Sequence, residues 1–218
     1  MENEKNIIKR KKGIGTQNQI LNTASRLFAR KGYDNVSIRE IAKEVGIKES
    51  SIYNHFNSKK DILAALFKEF AVRAPDSRPT QEQLEQMSKI MSLREIMKNI
   101  LFCVGRNIDE VLENTAIIIQ CERFKNALGA ETYYKYLVRE PESYYQNLIE
   151  MMLREKRLTN QNAHKIIKHY CTLAQSLSQE FFMAKNGFGC VEEVVRQMLE
   201  TIDFYCDLIM NNNTIKEG

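Results

Sequence analysis

Three prolines and nine glycines are all that punctuate these 218 residues. So few breakers exclude a chain of short strands and tight turns, which depend on the backbone angles that Gly and Pro supply. No segment alternates apolar and polar residues as a half-buried strand does. Apolar residues recur instead at three- and four-residue intervals nearly throughout, which predicts an all-α fold. Long apolar runs are also missing: the tightest cluster, "TAIII" at 115–119, falls far short of the roughly 18 residues of a membrane span. With a polar, charged N-terminus, the expectation is a soluble cytoplasmic protein with no membrane partner. The cysteines (Cys103, Cys121, Cys171, Cys190 and Cys206) are odd in number and contain no CxxC pair, so neither a disulfide framework nor a zinc ribbon is expected. His164 and His169 are five apart, off a common helical face, and suggest no metal site. There is no Walker loop, GxSxG or HExxH; "GFGCVEE" at 187–193 lacks the third glycine and the preceding strand of a dinucleotide loop. No catalytic residue, cofactor or metal is assigned, and no internal repeat suggests a solenoid.

What is present is a normal core and an uneven charge. Hydrophobic residues make up 43% and charged residues 28%, enough for one large or two small domains. Residues 1–70 hold 14 Lys/Arg against 8 Asp/Glu, net +6, whereas residues 71–218 hold 18 against 20, net −2. A basic head on a near-neutral body points to a polyanion, leaving nucleic acid and an anionic membrane open. Residues 1–15 read as a flexible basic arm in which Lys9, Arg10, Lys11 and Lys12 are placed to bind phosphates or a minor groove.

Thr16 with Gln19 has the form of a capping box opening a helix whose face is Ile20, Leu21, Ala24, Leu27 and Phe28, ending at Gly32. Ser37 with Glu40 starts a second, with Ile38, Ile41, Ala42 and Val45 inward and Gly46 as its stop. A third runs from about Lys48 to Phe56. Ser58 with Asp61 opens a fourth over 58–73, before Pro75 and Pro79 mark a boundary. The organisation expected is therefore an arm at 1–15, a helix-turn-helix domain at 16–74 and a helical body at 75–218. Helices in the body are predicted at 80–90, 92–107, 113–127, 131–138, 141–156, 159–185 and 190–211.

Two short helices joined at a glycine, the second rich in small polar residues, are what a helix-turn-helix requires. With Ile52 and Phe56 facing the core, a wheel at 100° per residue points Ser50 and Asn54 directly away. Ser51 and Tyr53 fall on the flanks and His55 nearer the core.

Residues 20–67 resemble the tetracycline-repressor-like family of bacterial transcription regulators. Phe28, Gly32–Tyr33, "SIREIAKEVG", the Tyr53/Phe56 pair and Lys59 carry the resemblance. It implies an N-terminal three-helix DNA-binding domain followed by a helical ligand-binding and dimerisation domain. Ser37 and Ser51 would sit beside phosphates, Tyr53 at a phosphate or the groove wall, and Lys59 at a phosphate. Lys48, Glu49, Ser50 and Asn54 are left for base edges, where Lys suits guanine O6/N7 and Asn suits adenine. Lys48 and Ser50 replace residues that are commonly a small hydroxyl and a Gly or Ala in that family, so its base preferences do not transfer.

One such module covers too few bases to hold an operator, so a homodimer through residues 159–211 on an inverted-repeat double-stranded DNA site is expected. Phe102, Cys103, Cys121, Phe124, Tyr133, Tyr145 and Phe181 serve either as core or as lining for a small apolar or aromatic effector; the pocket itself is implied by the resemblance. Release of a repressor by that effector is the function implied. The rivals are a regulator of the same fold that answers to a protein partner, and a helical enzyme with a basic head.

Overall fold

Single residues set the helix boundaries of the N-terminal region. α2 (Ile38–Val45) begins where the Ser37 side chain accepts the Glu40 N–H and ends at Gly46, whose φ of 78° is left-handed. There the Gly46 N–H reaches the Lys43 carbonyl at 3.2 Å and the Ile47 N–H the Ala42 carbonyl at 3.0 Å, a Schellman closure that needs glycine at its turn. α4 (Lys59–Arg73) starts by the same device, with Ser58 accepting from the Asp61 N–H. Between them lies α3 (Glu49–Tyr53), shorter than the 48–56 expected.

The computed structural model describes the backbone of residues 2–210 and the side chains from Gly15 onward; all regular elements among them are helical. α1 is Glu2–Lys31, so Thr16 lies within a helix rather than capping one. The arm expected at 1–15 falls on the first half of α1, and the side chains of Lys9, Arg10, Lys11 and Lys12 lie outside the described residues. No helix among the described residues is long and apolar enough to cross a membrane.

The chain forms two compact units. The first comprises residues 1–75 and 108–132 and contains α1–α4 with α7 (Glu110–Glu122) and α8 (Ala127–Thr132). α7 packs on α1 and α4, and α8 on α7 and α4. The body expected at 75–218 included α7 and α8, which are grouped here with α1–α4. The reason lies in α7: Leu112, Thr115, Ala116, Ile118 and Ile119 are all buried, so it needs cover on more than one side.

The second unit comprises residues 76–107 and 133–218. It holds α5 (Gln81–Ile90), α6 (Leu93–Asn107), α9 (Glu140–Arg154), α10 (Ala163–Lys185) and α11 (Val191–Met210). Its core combines Ile96, Met97 and Ile100 of α6 with Leu148, Ile149 and Met152 of α9, Ile167 and Tyr170 of α10, and Ile202, Cys206 and Ile209 of α11. On its flank, Lys98 reaches Asp203 at 2.7 Å and Arg94 pairs with Asp203 and Asp207, tying α6 to α11. The break expected between helices 131–138 and 141–156 is absent. The chain instead passes through a π-helix, Tyr133–Arg139, into α9. Pro141 explains it: its ring clashes with the carbonyl four residues back and it donates no hydrogen bond, so the preceding turns widen while the axis continues.

Burial pushes the thiols of Cys171 and Cys206 up to about 12, while Cys121 and Cys190 are exposed. Iodoacetamide at neutral pH is therefore expected to modify Cys121 and Cys190 and to spare Cys171 and Cys206 until the protein unfolds, because the thiolate is the nucleophile. Peptide mass spectrometry after timed labelling checks this; equal rates at Cys206 and Cys190 would contradict it. These raised values also favour the folded state fully only below the ordinary thiol value of 9.0. The contribution is lost as pH rises from there through about 12, since the unfolded chain releases its protons first.

Candidate nucleic-acid interface

α3 rests on two anchors, Ile52 and Phe56, which are 0% and 6% exposed. The anchors fix the helix rotation, and the side chains expected at base edges follow: Lys48, Glu49, Ser50 and Asn54 are all exposed. Asn54 lies just past the helix, yet its backbone is still right-handed helical, with φ −71° and ψ −15°, so the wheel phase carries through it. Lys48 occupies the N-cap position without a side-chain capping bond, which is expected because its ammonium cannot accept one. Of the residues expected at phosphates, Ser37 is exposed, Ser51 half-buried and Tyr53 51% exposed. The Ser37 hydroxyl accepts the Glu40 N–H at 3.1 Å, and its own hydrogen remains to donate to an oxyanion. His55 is half-buried, between the two faces.

Lys59 has a different part. Its Nζ donates to the carbonyls of Tyr33, Val36 and Asp34 at 2.8, 2.9 and 3.3 Å and lies 4.3 Å from the centre of the Tyr33 ring. An ammonium has three hydrogens, and all three are engaged. The side chain expected at a phosphate thus braces the turn between α1 and α2. Tyr33 in turn packs edge-on against Phe28 at 5.1 Å. Burial, then the charges of Asp34 and Glu122, raises its hydroxyl pKa.

The same turn is held from a second side. Lys125, after α7, pairs with Asp34 at 3.3 Å and with Glu122 at 3.2 Å. The Glu122 side chain is 2% exposed, and Asn126 Nδ2 donates to it at 2.8 Å. Asn126 also accepts the Gly129 N–H at 2.8 Å through Oδ1, so one amide closes α7 and starts α8. This group escapes a reading of local patterns, because Asp34 and Lys125 are 91 residues apart.

The residues expected to line a pocket are dispersed. Cys121 and Phe124 lie in the first unit, both exposed, and Phe124 is 87% exposed with Arg123 over its ring. In the second unit Phe102 is exposed, Cys103 is half-buried, and Phe181 stacks edge-on with Phe182. The Tyr133 hydroxyl accepts from Gln175 at 2.8 Å. Tyr145 belongs to a ladder of edge-on rings, Tyr144–Tyr145–Tyr170–Tyr205, with centroids 5.3 to 5.8 Å apart. Arg78 caps this ladder over Tyr144 at 4.1 Å. A groove of about 400 Å³ lies between α10 and α11 beside Phe188 and Cys190; none of the seven expected residues lines it.

Residues 20–66 match the model of the bacterial regulatory proteins, tetR family. They are the residues that build α2, α3, the anchors and the start of α4. Over these residues the chain carries a helix-turn-helix similar to that of the tetR family. Its helix-turn-helix is 48% identical over 46 residues to the biofilm operon icaADBC HTH-type negative transcriptional regulator IcaR of Staphylococcus aureus (strain Newman), covering 21% of this chain and 25% of that one. The match thus spans a quarter of that relative's length. The HTH-type transcriptional regulator AcrR of Shigella flexneri is 24% identical over 210 residues, covering 91% and 94% of the two chains. Among solved structures, a transcriptional regulator from Saccharomonospora viridis in complex with choline aligns with a TM-score of 0.64 at 23% identity, over 86% of this chain and 95% of that one. The last likeness supports the fold: an N-terminal helix-turn-helix followed by a helical C-terminal domain.

Proposed function

We propose that this protein regulates transcription by binding an inverted-repeat DNA site as a homodimer, as a repressor that a small effector releases. The observation that carries the DNA reading is the outward face of α3: Lys48, Glu49, Ser50 and Asn54 are all exposed while Ile52 and Phe56 hold the helix from behind. Each protomer places residues 48–54 in a major groove, with the two reading helices about 34–36 Å apart or a small multiple of a turn. Ser37, Ser51 and Tyr53 set the register through phosphates.

Dimerisation is supported by α10 and α11, which leave Leu173, Met183, Phe204, Leu208 and Met210 exposed. An apolar surface of that kind on a helix pair fits a twofold four-helix contact between copies. The effector is an apolar or aromatic small molecule, a reading supported by the tyrosine ladder of the second unit. It releases DNA by its differential affinity for the two conformers.

Selection of bound genomic fragments by the purified protein tests this reading, and a palindromic motif is the expected product. No enrichment over random DNA would refute it. On the selected site, Asn54→Ala is expected to cost about 1–3 kcal/mol and to relax preference at one base pair of each half-site. Competition with single-base variants measures it. Unchanged preference at every position would remove Asn54 from the base-reading set.

A further inference from the structure

Residues 31–61 contain six cations: Lys31, Arg39, Lys43, Lys48, Lys59 and Lys60. Two are engaged within the protein. Lys31 pairs with Glu40, and Lys59 gives its three hydrogens to the carbonyls of residues 33, 34 and 36. The nearby Glu44 is also taken, by Arg26 at 2.9 Å. Among the described residues, Arg39, Lys43, Lys48 and Lys60 make no ion pair or hydrogen bond, and all four are exposed. Lys48 belongs to the expected base-reading set and Lys43 lies in the last turn of α2, which leaves Arg39 and Lys60 at the helix starts.

Their position follows from the Lys59 brace. Val36, which accepts from Lys59 at 2.9 Å, immediately precedes Ser37, and Lys59 immediately follows Ser58. That single bond therefore draws the start of α4 to the start of α2. Arg39 lies two residues into α2 and Lys60 is the next residue of α4, about 100° around the helix from the inward-turned Lys59. The brace thus presents two uncompensated cations on the surface beside the exposed Ser37 hydroxyl. A cation already neutralised by a carboxylate adds little to phosphate binding, whereas a free one displaces a condensed counterion.

We propose that Arg39 and Lys60 are phosphate-contacting cations of this head, and that Lys59 is a positioning residue that holds them there. The assignment rests on the DNA-binding reading above. It transfers the phosphate role from the lysine of the sequence resemblance to its neighbour and adds a contact from α2.

The test is the salt dependence of binding to a random-sequence duplex, followed by fluorescence anisotropy, for the full-length protein and four variants. Arg39→Gln and Lys60→Gln should each flatten the slope of log K against log salt by about 0.9 per protomer. Lys89→Gln, an equal loss of charge on α5, should leave it unchanged. Lys59→Met should melt at lower temperature and also flatten the slope, because the brace that places both cations is lost. Wild-type slopes in both Arg39→Gln and Lys60→Gln would overturn the proposal, as would a Lys59→Met protein that flattens the slope by about 0.9 while melting at the wild-type temperature, the signature of a direct contact. If Lys59→Met does not fold, its bracing role is supported and the surface variants Arg39→Gln and Lys60→Gln still decide the phosphate role. Absence of any salt-dependent binding by the wild-type protein would overturn the DNA reading itself, an outcome distinct from equal slopes in protein that binds.

Discussion

Ile52→Ala is expected to lower the melting temperature by on the order of 10 °C and to remove DNA binding, although Ile52 touches no base. α3 has five residues, and Ile52 is the one buried among them. An isolated helix shorter than about 12–15 residues is marginal in water, so α3 exists because its anchors hold it. Truncating a fully buried Ile to Ala costs about 2–5 kcal/mol, and no other buried side chain within the helix makes up the loss. The exposed face that Lys48, Ser50 and Asn54 share would then lose its fixed direction. Asn54→Ala provides the contrast: the side chain is exposed, and its loss is expected to change stability by no more than about 0.5 kcal/mol. Thermal melts and anisotropy titrations on both variants separate the effects. An Ile52→Ala protein that melts within about 2 °C of the wild type would show that α3 is held by something other than this anchor.

The exposed face of α3 was legible in the sequence because its causes are local. Ser37, Gly46 and Ser58 act within four residues of themselves, and the rotation of α3 follows from Ile52 and Phe56 alone. Helix positions in the second unit were legible for the same reason. Thr16 misled because its capping pattern also occurs inside helices; nothing local marks that α1 continues upstream. The π-helix escaped because Pro141 normally ends a helix, and only the neighbouring packing keeps the axis running through it. Lys59 shows the deeper limit. Its spacing and charge suit a phosphate, but three carbonyls 23 to 26 residues away claim its hydrogens, and no local pattern records that. Nor does any pattern record that α7 and α8 belong with the head, or that the Asp34 carboxylate faces Lys125. The tyrosine ladder was visible as composition only, since Tyr144, Tyr170 and Tyr205 stand on three different helices.

Gly129→Ala is expected to destabilise the first unit by on the order of 3 kcal/mol, at or above the upper end of ordinary overpacking. On propensity alone the sign would be the opposite, because Ala within a helix is favoured over Gly by about 1 kcal/mol. Geometry decides against propensity. A Cβ at Gly129 would stand 2.5 Å from the Glu122 carbonyl oxygen and 2.6 Å from its carbon, which are backbone atoms at the end of α7 and cannot swing aside as a flexible side chain does. Relief requires α8 to move away from α7. That movement strains the Gly129 N–H bond to Asn126 and, through Asn126, the hydrogen bond to the buried Glu122 carboxylate. A buried carboxylate that loses a donor is costly, so the loss extends beyond the clash itself. Lys125→Met separates the two contributions: its ion pairs are half-exposed on the lysine side, and removing them is expected to cost about 1 kcal/mol or less. Denaturant melts of the three proteins provide the measurement. A Gly129→Ala protein as stable as the wild type would mean that α8 does not approach α7 this closely, and the link from α8 through Lys125 to the turn before Ser37 would lose its rigid end.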